Sequence, residues 1–128
     1  MSWYLDASAL VKLVVRERES VSLAAFVHDN HDRLVTSELG RLEVLRFGHR
    51  VGEVLAARTV VDAIDTLTIS SGHWERAASV MPQGALRSLD ALHLACLALR
   101  PSLAGVVTYD TRMIEAATTL GYAVLSPA

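Results

Sequence analysis

Five short apolar runs separated by stretches of helical periodicity set the terms on which this chain folds. Trp3-Tyr4-Leu5 is the first, and from Asp6 onward Leu10, Leu13 and Val14 keep the spacing of one helix face. Arg16-Glu17-Arg18-Glu19 ends that helix in solvent, and Ser20 is placed to cap a second through Leu23, Ala24, Phe26 and Val27. Leu34-Val35-Thr36 predicts the second strand, ending at Ser37. A third helix follows on Leu39, Leu42, Leu45 and Phe47, and a fourth from about Gly52 to Ile64. Leu67-Thr68-Ile69 predicts the third strand, with Ser70 and Ser71 opening a short helix around Trp74 that Pro82-Gln83-Gly84 breaks. Ser88 opens an apolar helix over Leu89 to Leu99, Gly105 to Tyr109 predicts the fourth strand, and Asp110 starts the last helix. That helix ends at Gly121, and Tyr122 to Leu125 makes the final strand.

Strands that alternate with helices build an α/β fold with a mainly parallel sheet, because each crossover lays its helix against one face of the sheet. A length of 128 residues fits a single domain spanning 1–128. With 52% apolar and only 20% charged residues, the chain buries enough surface to fold without staples, and disorder is excluded. The lone Cys96 cannot form an intrachain disulfide, and its apolar neighbours suit a buried thiol in a reducing compartment, so a cytoplasmic location is expected. Met1 to Leu13 carries Asp6 and Lys12 within its apolar stretch, which does not match a secretory signal, and no run approaches a membrane span.

Four acids fall where chemistry is expected. Asp6 follows the first strand, Asp110 follows the fourth, and Asp90 lies in the first turn of the helix that leads into that fourth strand. In open parallel sheets, groups just beyond the carboxyl ends of the strands line the ligand crevice. Helix capping is the competing account of Asp6 and Asp110, since Asp is a favoured cap and is stabilised at a positive helix terminus. Asp90 stands two residues past Ser88, itself a possible cap, and is flanked by Leu89, Ala91 and Leu92. Glu43 lies inside the third helix, where capping does not apply and a surface ion pair with Arg46 at i+3 is the alternative. Two unit charges about 4 Å apart repel by about 4 kcal/mol at an effective dielectric near 20, so four converging carboxylates call for cations. Hard oxygen ligands suit Mg²⁺ or Mn²⁺, ions that activate water and stabilise the oxygens of an in-line phosphoryl displacement.

On these residues the chain resembles the PIN-domain ribonucleases, in particular the VapC-type toxins of toxin-antitoxin pairs. The resemblance is carried by Tyr4-Leu5-Asp6-Ala7-Ser8-Ala9-Leu10-Val11-Lys12, by Thr36-Ser37 to Glu43, by Leu89-Asp90-Ala91-Leu92-His93-Leu94-Ala95 and by Val107-Thr108-Tyr109-Asp110. It spans nearly the whole chain in order. It implies a PIN-like three-layer fold with strand order 3-2-1-4-5 and a metal-dependent endoribonuclease. Asp6, Glu43, Asp90 and Asp110 then stand at the catalytic positions, with Asp6, Asp90 and Asp110 binding Mg²⁺ or Mn²⁺ and Glu43 binding metal or orienting the attacking water. It further implies an RNA substrate, a homodimer and a small VapB-like antitoxin as partner. Ser8 and Thr108 match small hydroxyl positions near the site, for which a backbone hydrogen bond at a turn is the simpler role. Glu38 is a lesser alternative to Glu43, because charge at a helix start explains it without function.

Other polar residues carry less. His28, Asp29, His31 and Asp32 form a cluster of metal-ligand types but precede a strand, which puts them at the end of the sheet opposite the acids. His93, on an apolar helix, reads as a satisfied buried histidine, while His49 and His73 carry no motif. No Gly-x-Ser-x-Gly elbow supports a covalent hydrolase. The net charge of −2 is unusual for an RNA binder. Metal supplies positive charge locally, however, and arginine outnumbers lysine eleven to one. Arginine forks suit phosphate, and Arg41, Arg46, Arg50 and Arg112 lie near the acidic segments. A phosphoacceptor receiver wants adjacent acids after the first strand and a lysine after the last ones, and this chain has neither. A haloacid dehalogenase-type phosphatase wants a second Asp where Ala7-Ser8 follows Asp6. The remaining alternative is a catalytically inert PIN-like binding module.

Overall fold

The computed structural model describes residues 1–84 and 86–128. Its elements are β1 (Ser2–Leu5), α1 (Ala7–Val14), α2 (Ser20–Asp29), β2 (Leu34–Ser37), α3 (Glu38–Val51) and α4 (Val54–Asp62). They continue with β3 (Asp65–Leu67), α5 (Ser71–Ser79), α6 (Ser88–Ala98), β4 (Leu103–Val107), α7 (Thr111–Thr119) and β5 (Ala123–Leu125). All strand pairs are parallel and the order is β3-β2-β1-β4-β5, the order the family resemblance implies.

Alternation along the central strands divides the interior into two cores. Tyr4 sits level with Val35 and Val106, and these three face the core that α6 and α7 close with Leu94, Leu97, Met113 and Ala117. Leu5, level with Val107, faces the other, which Leu10, Leu23, Val44, Ala57 and Val61 fill from α1 to α4. β1 is therefore covered on both faces, as a parallel strand must be. Its carboxyl end opens at the rim between the two helical layers.

Several boundaries move from where the apolar pattern sets them. β3 begins at Asp65, two residues earlier, because edge pairing of Asp65 and Thr66 with Val35 and Thr36 selects the strand, and that pairing does not require apolar side chains. β4 likewise runs Leu103–Val107, and Thr108 and Tyr109 lie beyond it. Ser20 and Ser88 are first helical residues and not caps. The Ser20 hydroxyl instead donates to the Lys12 carbonyl (2.7 Å) and accepts from the Glu17 N–H (2.8 Å), tying the end of α1 to the turn. Gly52 closes α3 in the left-handed conformation (φ +76°), a role glycine fills without strain, and so does not begin α4. Among the described residues no helix is long and apolar enough to cross a membrane.

Candidate active site

Asp6 and Asp110 are both helix caps, and each caps through one oxygen while the other makes a separate contact. Asp6 Oδ1 accepts from the Ala9 N–H at 3.1 Å to cap α1 and also from the Ser8 hydroxyl at 2.7 Å. Its Oδ2 accepts from the Thr108 hydroxyl at 2.5 Å. Asp110 Oδ1 accepts from the Arg112 N–H at 2.9 Å to cap α7, and its Oδ2 lies 3.8 Å from Arg87 Nη2. The capping account thus holds for both residues, and each keeps its second oxygen in another contact.

The segment after β4 links them. Thr108 Oγ1 accepts from the Asp110 N–H (3.1 Å) while donating to Asp6, and Ser8 Oγ accepts from the Tyr109 N–H (2.9 Å) while donating to Asp6. Ser8 and Thr108 do make the backbone contacts expected of small hydroxyls at a turn, and in doing so they also hold Asp6. Asp6 is 4% exposed, and burial pushes its carboxyl up from the ordinary value. The nearby His93 ring and hydrogen bonds from Ser8, Thr108 and Ala9 oppose that rise without cancelling it.

Asp90, in the first turn of α6, is buried and accepts from Arg87 Nε at 3.2 Å through Oδ2. Arg87 therefore spans Asp90 and Asp110, so these two carboxylates already share one cation. The arginine itself is largely exposed, with its stem on the rim of a groove of about 350 Å³ between α5 and α6. Arg87 is not among Arg41, Arg46, Arg50 and Arg112, the arginines that stand near the acidic segments in sequence and for which solvated faces are the simpler account, although the Arg87-Ser88-Leu89-Asp90 spacing is the i, i+3 pairing of a helix start. Arg41 instead pairs with Asp62 at 2.8 Å, and Arg50 stacks on the ring of Phe47.

Glu43 stands outside that chain of contacts. Its Oε1 lies 2.6 Å from His93 Nε2, and not against Arg46. His93 is buried and satisfied, as its apolar helix suggests, but the partner that satisfies it is one of the four acids. Glu38 turns away and accepts from the Ile69 N–H at 2.7 Å. His28, Asp29, His31 and Asp32 lie at the end of α2 and the entry to β2, the opposite end of the sheet from Asp6 and Asp110. Hydrogen bonds and the Arg87–Asp110 ion pair thus connect Asp6, Asp110 and Asp90 in one chain through Thr108 and Arg87, whereas Glu43 is held by its own hydrogen bond.

Carboxylate oxygens are the donor chemistry that Mg²⁺ and Mn²⁺ favour, and a guanidinium bridging two of them marks a place where positive charge is accommodated. As the side chains stand, no group of three or more His, Cys, Asp or Glu among the described residues encloses an ion. The donor set fits a hard divalent cation. A cation there would compete with Arg87 for Asp90 and Asp110.

Comparison with known proteins gives this geometry its family. The model of the PIN domain matches residues 3–118. Ribonuclease VapC46 of Mycobacterium tuberculosis is 42% identical over 97% of this chain and 96% of its own, and Ribonuclease VapC35 of the same organism is 40% identical over the same shares. Among solved structures, M. tuberculosis VapC20, described as a Sarcin-Ricin loop cleaving toxin, superposes with a TM-score of 0.80 at 13% identity, covering 98% of this chain and 100% of that one. A toxin-antitoxin complex from Klebsiella pneumoniae gives 0.77 at 20% identity, over 99% and 98%. Family model, near-full-length relatives and strand order agree, and this chain belongs to the PIN domain family, alongside the VapC ribonucleases.

Proposed function

We propose that the protein is a metal-dependent endoribonuclease, the toxin of a type II toxin-antitoxin pair, and that Asp6, Glu43, Asp90 and Asp110 are its catalytic acids. The observation that carries the reading is the chain Asp6–Thr108–Asp110–Arg87–Asp90 at the carboxyl ends of the two central strands, where open parallel sheets bind ligands. When bound, Mg²⁺ or Mn²⁺ supplies the positive charge that lowers the pKa of attacking water and stabilises the phosphoryl oxygens. Asp6, Asp90 and Asp110 would hold it through their carboxylates. Ser8 and Thr108 fix the Asp6 carboxylate by donating both their protons to it. Glu43, its Oε1 taken by His93, offers its other oxygen to orient water. Arg87, which pairs with Asp90 and Asp110, would supply a fork of donors to the scissile phosphate.

RNA is the substrate class because the near-full-length relatives are named ribonucleases. A small VapB-like antitoxin as partner and a homodimeric state follow from the same kinship, and the K. pneumoniae neighbour is described as a toxin-antitoxin complex. The buried free thiol of Cys96 suits a reducing cytoplasm. The test is cleavage of a total RNA pool by wild type, Asp6→Asn and Asp90→Asn, with Mg²⁺, Mn²⁺ or chelator, alongside circular dichroism. Wild type should cut only with metal, and both folded variants should be inactive; an active, folded pair would falsify the assigned roles. An inert binding module predicts no cleavage by any of the three. A growth-arrest assay adds the cellular side: wild type expressed alone should be toxic, Asp6→Asn harmless, and co-expression of a small adjacent gene product protective.

A further inference from the structure

Behind Glu43 runs a line of buried polar groups that the carboxylate chemistry itself does not require. His93 Nε2 is 2.6 Å from Glu43 Oε1, and its Nδ1 is 2.6 Å from the Tyr4 hydroxyl. That hydroxyl is 2.8 Å from Ser37 Oγ, which in turn accepts from the Gly40 N–H at 3.2 Å while capping α3. Tyr4 and Ser37 are 0% exposed and His93 3%, so no solvent rescues a misdirected proton. No donor among the described residues reaches the second oxygen of Glu43.

The directions of these bonds follow from their ends. A backbone N–H only donates, so Ser37 Oγ is an acceptor from Gly40. The proton of Ser37 then has the Tyr4 oxygen as its nearest strong acceptor, since the neighbouring Cys96 sulfur accepts weakly. Tyr4 therefore gives its own proton to Nδ1, which must be bare, and the ring proton sits on Nε2, aimed at Glu43. We propose that His93 is a positioning residue for Glu43: a neutral imidazole locked as the Nε2–H tautomer by the one-way chain Gly40→Ser37→Tyr4. This rests on the nuclease reading above and deepens it. A neutral donor fixes Oε1 without placing a positive charge beside the acids, and leaves the second Glu43 oxygen unengaged among the described residues. An imidazolium would reverse the Tyr4 bond and leave the Ser37 proton facing sulfur.

Two measurements test the proposal. Long-range ¹H–¹⁵N spectra of the histidine rings in the whole protein, with His93→Gln for assignment, should give His93 the pattern of a neutral Nε2–H ring. Tyr4→Phe, which keeps the ring and its packing, should shift the Nδ1 resonance and leave Nε2 protonated. An imidazolium or Nδ1–H pattern, or an Nδ1 resonance indifferent to Tyr4→Phe, overturns the chain. On RNA, His93→Leu should lower kcat on the order of 10- to 100-fold with KM unchanged, as loss of a ligand-orienting partner does. His93→Gln, which restores an N–H toward Glu43, should recover much of that loss. Equal kcat for the Leu and Gln variants, both folded by circular dichroism, overturns the positioning role. A wild type that cuts no RNA would instead count against the nuclease reading, and the spectra would still decide the chain.

Discussion

At the rim of the sheet, Arg87 offsets the charge of Asp90 and Asp110, and that makes it the residue whose removal is most informative. Its guanidinium contacts Asp90 at 3.2 Å and Asp110 at 3.8 Å from an exposed position, so the direct stabilisation is modest, about 0.2–1 kcal/mol for pairs of this kind. Arg87→Gln should therefore cost the metal-free protein only a few degrees of melting temperature. Its response to Mn²⁺ should grow, because no side chain then competes for the two carboxylates and only ligands of the native state add stability. Melting curves across a Mn²⁺ titration check this; a variant that needs more Mn²⁺ than wild type would show that Arg87 assists loading. At this scale the sequence was legible for residue type and less so for partnership. Asp6, Asp90 and Asp110 stand out by position after strands or at a helix start. That His93 would face Glu43, fifty residues away, depends on how α3 and α6 pack over the central strand, which no spacing within one element encodes.

Helix α3 is the element on which Glu43 depends, and one glycine sets how closely it approaches the sheet. A Cβ on Gly40 would stand 2.1 Å from Thr36 Oγ1, and 3.8 Å from His93 Cε1. Thr36 cannot yield easily, since it is fully buried and its hydroxyl donates to the Leu5 carbonyl at 2.8 Å. Gly40→Ala should destabilise the fold by about 1–3 kcal/mol, as overpacking does. It should also lower RNA cleavage more than a surface substitution of equal ΔΔG, because the start of α3 carries both the Ser37 cap and the approach of Glu43. Denaturant unfolding set beside cleavage rates decides it: full activity in the folded fraction would mean that the placement of α3 tolerates the shift. The elements themselves were readable from periodicity, all twelve of them. Their ends were not, because β3 is chosen by its pairing with β2, and Ser20 and Ser88 lose the cap positions to Glu19 and Arg87 through backbone geometry.

For the molecule as a whole, placing an acid at the carboxyl end of a strand covered on both faces carries a cost that depends on pH. Asp6 is nearly fully buried, and burial raises its carboxyl above the ordinary value of 3.8 despite three donors. Below that ordinary value the group is protonated in both folded and unfolded chains, and its burial carries no charge penalty. As pH rises from there, the unfolded chain ionises first, so stability falls until pH passes the raised folded value, and above it the whole penalty remains. Asp6→Asn never ionises, and its amide can keep the α1 cap through oxygen while donating to Thr108. In chelator, the variant should therefore gain on wild type as pH climbs from about 4 toward neutrality, each unit of pKa difference being worth about 1.4 kcal/mol. Ion pairs elsewhere, such as Lys12 with Glu17 and Glu19, titrate alike in both proteins and cancel in the difference. Millimolar Mg²⁺ should close the gap by favouring the ionised Asp6 of the wild type, and should leave Asp6→Asn nearly unmoved. Thermal melts of both proteins at several pH values, with and without metal, measure it directly; a stability gap that does not change with pH would mean that the donors around Asp6 already offset its burial, and a gap that Mg²⁺ leaves open would remove Asp6 from the metal site.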